Sequence, residues 1–194
     1  GGIRSSAQMI SYEIAMGMSV IPVLLIVGKL NLGDIINWQV NNGWLVIYAP
    51  LAFIIFMVAS FAETNRTPFD LPEAETELVG GYHTEYGSMK FALFFLAEYS
   101  NMVASSAMMV TLFFGGWTLP FLGLDHTATS LIMGVVQILV FLLKMLVFMV
   151  LFIWVRWMFP RFRYDQLMDL GWRRFLPLAL VNFLVTAIIL WVLT

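Results

Sequence analysis

The sequence predicts an all-α integral membrane protein, a polytopic helical bundle with about five transmembrane helices. Three observations predict it. Mean hydropathy is +0.88 and only 11% of residues are charged, whereas roughly a quarter are charged in a soluble domain. Five stretches approach the about 20 apolar residues that a spanning helix requires. None shows the period-two alternation of an outer-membrane barrel, so helices are the spanning elements. Residues 1–194 read as a single membrane domain, without internal repeat or low-complexity segment.

Taken in order, the predicted spans cover about 7–27, 44–62, 89–114, 130–155 and 175–193. The connections at 29–43 and 115–129 contain little chemistry. Asn41-Asn42-Gly43 and Gly115-Gly116 are turn formers, and Asp34 and Asp125 read as solvated loop residues. Trp38, Trp44, Trp117 and Trp191 suit an interfacial aromatic belt. His83 and His126 lie on separate loops and make a poor metal site. Cysteine is absent, which excludes a disulfide, a thiol nucleophile and a Cys-ligated iron–sulfur cluster. Any redox centre is therefore expected on a partner. A net charge of −2 offers no basic surface for nucleic acid. The sequence starts at Gly1, without a methionine or a signal-peptide pattern, and is expected to be part of a longer polypeptide.

The cations give the topology. Arg4, Arg66, Lys90, Arg156, Arg161, Arg163, Arg173 and Arg174 fall on one face when the spans alternate, Lys29 falls on the other, and Lys144 lies inside the fourth span. The positive-inside rule then assigns loops 63–88 and 156–174 to the cytoplasmic or matrix side.

Three ionisable groups sit within predicted spans: Glu13, next to Tyr12, Glu98, next to Tyr99, and Lys144. Such groups cost a few kcal/mol at the bilayer centre and mark ion or proton paths. Glu98 lies about 13 Å into its helix at 1.5 Å per residue, near the midplane. One reading is structural, for example a Glu98–Lys144 ion pair between helices. The functional reading is a proton-coupling chain of Tyr12, Glu13, Glu98 and Lys144.

The strongly polar run is the loop 63–88. It gathers Glu63, Asp70, Glu73, Glu75, Glu77 and Glu85 with Arg66, and interleaves Pro68, Phe69, Pro72, Gly80 and Gly81. The prolines disfavour helix just before them. Glu73 to Val79 can form a short helix with acids at its dipole-favoured start, ended by the glycines. Carboxylates this close couple their titrations. Prolines and aromatics among the acids suggest a folded loop packed against something.

These residues resemble a known family. Ala62 to Leu71, then Glu73, Glu75 and Glu77-Leu78-Val79, are similar to the signature loop of the membrane subunit beside the quinone chamber of respiratory complex I. This family comprises that membrane subunit of bacterial NADH–quinone oxidoreductase and its mitochondrial equivalent, NADH dehydrogenase subunit 1. Ile10 to Glu13, Phe91 to Tyr99 and Pro160 to Met168 agree, in the right order. The resemblance implies about eight helices in the whole subunit, roughly three preceding this chain. It implies a quinone chamber lined by the loop and its surroundings (Glu63, Arg66, Pro68, Phe69, Asp70, Glu73, Glu75, Glu77, Glu85 and Arg161), with Glu13 and Glu98 starting a polar path. It assigns no role to Lys144. No residue of this chain alone is expected to be catalytic. Quinone is the implied substrate, no cofactor is expected on this chain, and FMN and iron–sulfur clusters are expected on partner subunits. The implied partners are hydrophilic-arm subunits at the quinone site, small membrane subunits leading to antiporter-like subunits, lipid and quinone. The implied location is the bacterial inner membrane, or the mitochondrial inner membrane.

Two alternatives remain at this point. The equivalent subunit of an energy-converting hydrogenase or formate hydrogenlyase shares the architecture, but the fullness of Glu63 to Leu71 and of Pro160 to Met168 favours complex I. A stand-alone ion-coupled transporter would use Glu13, Glu98 and Lys144, yet the inverted repeats common in such proteins are not evident.

Overall fold

The computed structural model describes residues 2–64, 69, 87–119, 130–160 and 162–193. Among them every regular element is helical, as the sequence predicts. Four runs are long and apolar enough to cross a membrane: Ser6–Val27, Met89–Phe113, Leu131–Met158 and Tyr164–Val192. Pro50–Glu63 is a shorter apolar helix.

Helix α1 (Gly2–Val27) buries Gln8, Ser11, Tyr12, Ala15, Ser19 and Val23. Their spacing of three and four residues places them on one face, which packs against the helices Pro50–Glu63 and Leu176–Leu193. Polar and apolar residues alternate along that stripe, so this contact is hydrogen-bonded as well as packed.

The connection expected at 29–43 is itself largely helical. Helix α2 (Leu32–Asn42) starts where the Asn31 side chain accepts from the Gly33 amide, an N-cap that satisfies one free donor. Asp34 lies in its first turn and pairs with Lys29 at 3.6 Å. Ile35, Ile36 and Gln39 form its buried face. At 11 residues α2 is too short to span a bilayer, so a search for spans passes over it.

The second predicted span is broken. One helical turn, α3 (Leu45–Tyr48), stops at Ala49, and α4 (Pro50–Glu63) begins anew. Ala49 takes φ −133° and ψ 59°. Proline clashes with a helical conformation at the preceding residue, which accounts for the break.

Helix α5 (Ser88–Phe113) and helix α6 (Leu131–Met158) agree with prediction within a few residues and pack on each other. The last span starts earlier than expected. Helix α7 (Tyr164–Asp169) runs through a wider π-helical turn, Leu170–Phe175, into α8 (Leu176–Leu193). At the junction the Leu176 amide donates five residues back to Gly171, just ahead of Pro177, whose missing donor interrupts a regular ladder.

An aromatic cluster forms the core between α4, α5 and α6. Phe53 lies 5.3 Å from Phe113, 5.4 Å from Phe114 and 6.2 Å from Phe148, ring centre to ring centre. Edge-on and tilted pairs at these separations are the favourable aromatic geometries. Outward faces of α6 and α8 expose Leu139, Leu143, Val147, Leu184 and Ile188, an apolar surface suited to lipid or to further helices.

Candidate functional site

The site is built where the acidic loop leaves α4. Gln8 of α1 is fully buried, and its Nε2 donates to Ala62 O at 2.8 Å and to Phe69 O at 3.0 Å. One amide thus fastens the last turn of α4 and the residue six positions beyond Glu63 to the same point on α1. The Gln8 Oε1 is buried with no hydrogen-bond partner. Phe69 is buried between Tyr12 and Phe162, each 5.6 Å away. The Tyr12 hydroxyl donates to Leu167 O at 2.8 Å, and Trp172 Nε1 donates to Ser11 Oγ at 2.8 Å. Helix α1 therefore holds the start of the acidic loop on one side and the α7–π segment on the other.

Glu63, the first residue beyond the predicted second span, is half-buried. It borders a cavity of about 280 Å³ between α1, α4 and α5, together with Met16, Gly17, Asn101 and Ser105. That volume accommodates several waters. Burial pushes the Glu63 carboxyl above its ordinary range, and the negative charge of Glu13 pushes it further. Glu13 itself is exposed on the free face of α1. Glu98 is half-buried on α5, three residues before Asn101 and so on the same helix face.

Of the predicted residues, Tyr12 and Phe69 are in ring contact, and Glu13 lies within electrostatic range of Glu63. Lys144 stands apart. Its ammonium donates to the carbonyls of Phe114, Gly116 and Thr118, beyond the far end of α5. Those carbonyls lie 16 or more residues along the chain from Glu98, about 24 Å at helical rise. The Glu98–Lys144 pair considered from sequence is not formed. Arg66, Pro68, Asp70, Glu73, Glu75, Glu77, Glu85 and Arg161 lie outside the described residues, as does the helix expected after Pro72.

Comparison with known proteins decides what this arrangement belongs to. The NADH dehydrogenase family model matches residues 1–187. The chain belongs to that family. Among its relatives, an NADH-quinone oxidoreductase subunit from Cytophaga hutchinsonii is 54% identical over 189 residues, covering 96% of this chain and 54% of the relative. NADH-quinone oxidoreductase subunit 8 of Rhodothermus marinus is 53% identical, covering 97% of this chain and 58% of the relative. The corresponding NADH-quinone oxidoreductase subunit from Deinococcus radiodurans is 57% identical, covering 98% and 48%. The chain spans about half the length of the curated relatives it matches.

Sequence reasoning missed Gln8, Ser11 and Trp172 in this NADH dehydrogenase family member, and at the opposite end Gln39 and the contact of the belt residue Trp44 with Lys144. A signal for the first two was present. Gln8, Ser11, Tyr12 and Ser19 recur at helical spacing within an apolar segment, and polar residues in spans favour a protein-facing side.

Proposed function

We propose that this chain is the portion of an NADH:quinone oxidoreductase membrane subunit that borders the quinone chamber and couples quinone reduction to proton translocation. The observation that carries it is the Gln8 clamp, which joins both ends of the Ala62–Phe69 stretch to the helix bearing Tyr12 and Glu13. Movement at the start of the acidic loop is thereby transmitted to α1 and to the cavity beside Glu63.

The chemistry suits carboxylates. A quinone takes up two electrons and two protons to become a hydroquinone, and passes through negatively charged states. Nearby acids respond by binding protons more tightly, and raised, coupled carboxylates respond within the working pH range. In this reading Glu63, Asp70, Glu73, Glu75, Glu77 and Glu85 sense the charge. Arg66 and Arg161 line the chamber or a subunit interface, with Pro68 and Phe69 fixing the loop. Glu13 and Glu98 pass the change into the membrane, and Tyr12 holds Glu13's helix in register. With no cysteine in the chain, thiolate-ligated clusters belong to partner subunits, as does the flavin, and electrons reach quinone from there. The partners are the hydrophilic arm at the loop face and small membrane subunits leading to antiporter-like subunits. The loop faces the cytoplasm of a bacterial inner membrane, or the matrix of a mitochondrion.

The test is glutamine replacement of Glu63, Glu73, Glu75 and Glu77, one at a time, in the assembled complex. We expect slower NADH:quinone reduction and weaker proton pumping, with NADH oxidation by a quinone-independent acceptor unchanged. Full quinone reduction and pumping in all four variants would remove the loop from the mechanism.

A further inference from the structure

The far end of α5 carries a second polar construction, which the quinone reading does not use. Helix α5 stops at Phe113, and Gly115 and Gly116 follow with φ of +72° and +57°. The Phe114 and Gly116 amides both return to Val110 O, at 3.1 and 3.0 Å, the wrapped ending that left-handed residues permit. The turn aims a series of carbonyls away from the helix. Gln39 of α2 donates to Thr111 O and Leu112 O, at 3.1 and 3.2 Å. Lys144 Nζ donates to Phe114 O at 2.7 Å, Gly116 O at 3.1 Å and Thr118 O at 2.6 Å. The Trp44 ring covers the ammonium at 5.4 Å, a cation–π contact.

Hydrogen-bond capacity identifies the occupant. An ammonium has three N–H donors and no acceptor, matching three converging carbonyls. A neutral amine has two donors and a lone pair, which would face the third carbonyl. We propose that the Phe114, Gly116 and Thr118 carbonyls with Trp44 form a receptacle for a primary ammonium cation, filled by the chain's own Lys144. Lys144 is thereby a positioning residue: it stays protonated, caps α5 and fixes the outer end of the helix that carries Glu98. It is a strut in this arrangement and not a proton carrier. The inference rests on the receptacle geometry and is independent of the proposed quinone chemistry.

The test uses the full-length protein purified from its membrane in mild detergent, reading folded yield and Tm, so that its failure leaves the quinone reading untouched. Lys144→Ala orphans three carbonyls, and we expect a loss of folded protein of at least about tenfold. Ethylammonium, one carbon shorter than the atoms removed, should restore it. Tetramethylammonium, equally charged but without N–H donors, should not. Lys144→Met keeps the stem without donors and should resemble Lys144→Ala. Wild-type yield and Tm in Lys144→Met would overturn the proposal, as would equal effects of the two ammonium salts. If neither variant accumulates, Lys144→Ala cells grown with ethylammonium decide it: recovery supports the receptacle, and none overturns it.

Discussion

Replacing Gln8 by leucine should loosen the start of the acidic loop while leaving the bundle folded. The two side chains are close in volume, so packing changes little. The variant loses the donors to Ala62 O and Phe69 O, and each orphaned buried carbonyl costs about 1–3 kcal/mol. It also removes Gln8 Oε1, which is already buried without a partner and so relieves one penalty of about that size. The net effect is about 1–3 kcal/mol against the docked loop. At 1.4 kcal/mol per tenfold, local opening rises about 5- to 150-fold. Hydrogen exchange measured by mass spectrometry reads this directly: peptides covering 62–69 should exchange faster, with those of α5 and α6 unchanged. Gln8→Glu should be worse, because it removes the donors and adds a charge. Unchanged exchange over 62–69 in Gln8→Leu would refute the clamp. Uniform acceleration across the chain would show that Gln8 supports the whole fold and not the loop.

Tyr12→Phe keeps the ring against Phe69 but removes the hydroxyl donor to Leu167 O, which retains the Leu170 amide, and should cost about 0.5–1.5 kcal/mol in thermal stability. Tyr12→Leu should cost more, because the aromatic pair is lost too. Gly116→Ala places a Cβ 2.8 Å from Ile36 Cδ1 at φ +57°, and the strained backbone alone costs about 1–2 kcal/mol. Adding Ile36→Val removes that methyl and should recover part of the lost Tm, the backbone portion persisting. Glu63 binds its proton more tightly than its ordinary 4.5, through burial first and Glu13 second. For an acid with a raised folded pKa, stability is highest below the unfolded value and declines as pH rises through the folded value. Glu13→Gln removes one cause, so the Glu63 carboxyl stretch, followed by infrared titration against a Glu63→Gln control, should shift its midpoint downward.

Most of the fold was legible because hydropathy and helix length carry it. Spans α1, α5 and α6 lie within a few residues of prediction for that reason. The departures have local causes. Pro50 divided the second span, and its effect on Ala49 could have been read from the sequence. Helix α2 was hidden because its amphipathic 11 residues fall below the length of a span. Tyr12, Glu63 and Phe69 could be singled out because they stand beside distinctive neighbours. Gln8 and Gln39 could not be so weighted, since their importance lies in carbonyls that are 54 to 73 residues away. Lys144 was noticeable as an intramembrane charge, but its partners are backbone atoms of a turn, which no pairing of side chains suggests.

The two polar junctions follow one rule. Irregular backbone in a membrane bundle has no water to satisfy it, so each freed carbonyl needs a donor from the protein. Gln8 supplies donors where α4 gives way to the loop, and Gln39 and Lys144 supply them where α5 ends. These side chains are accounted for by the breaks they serve.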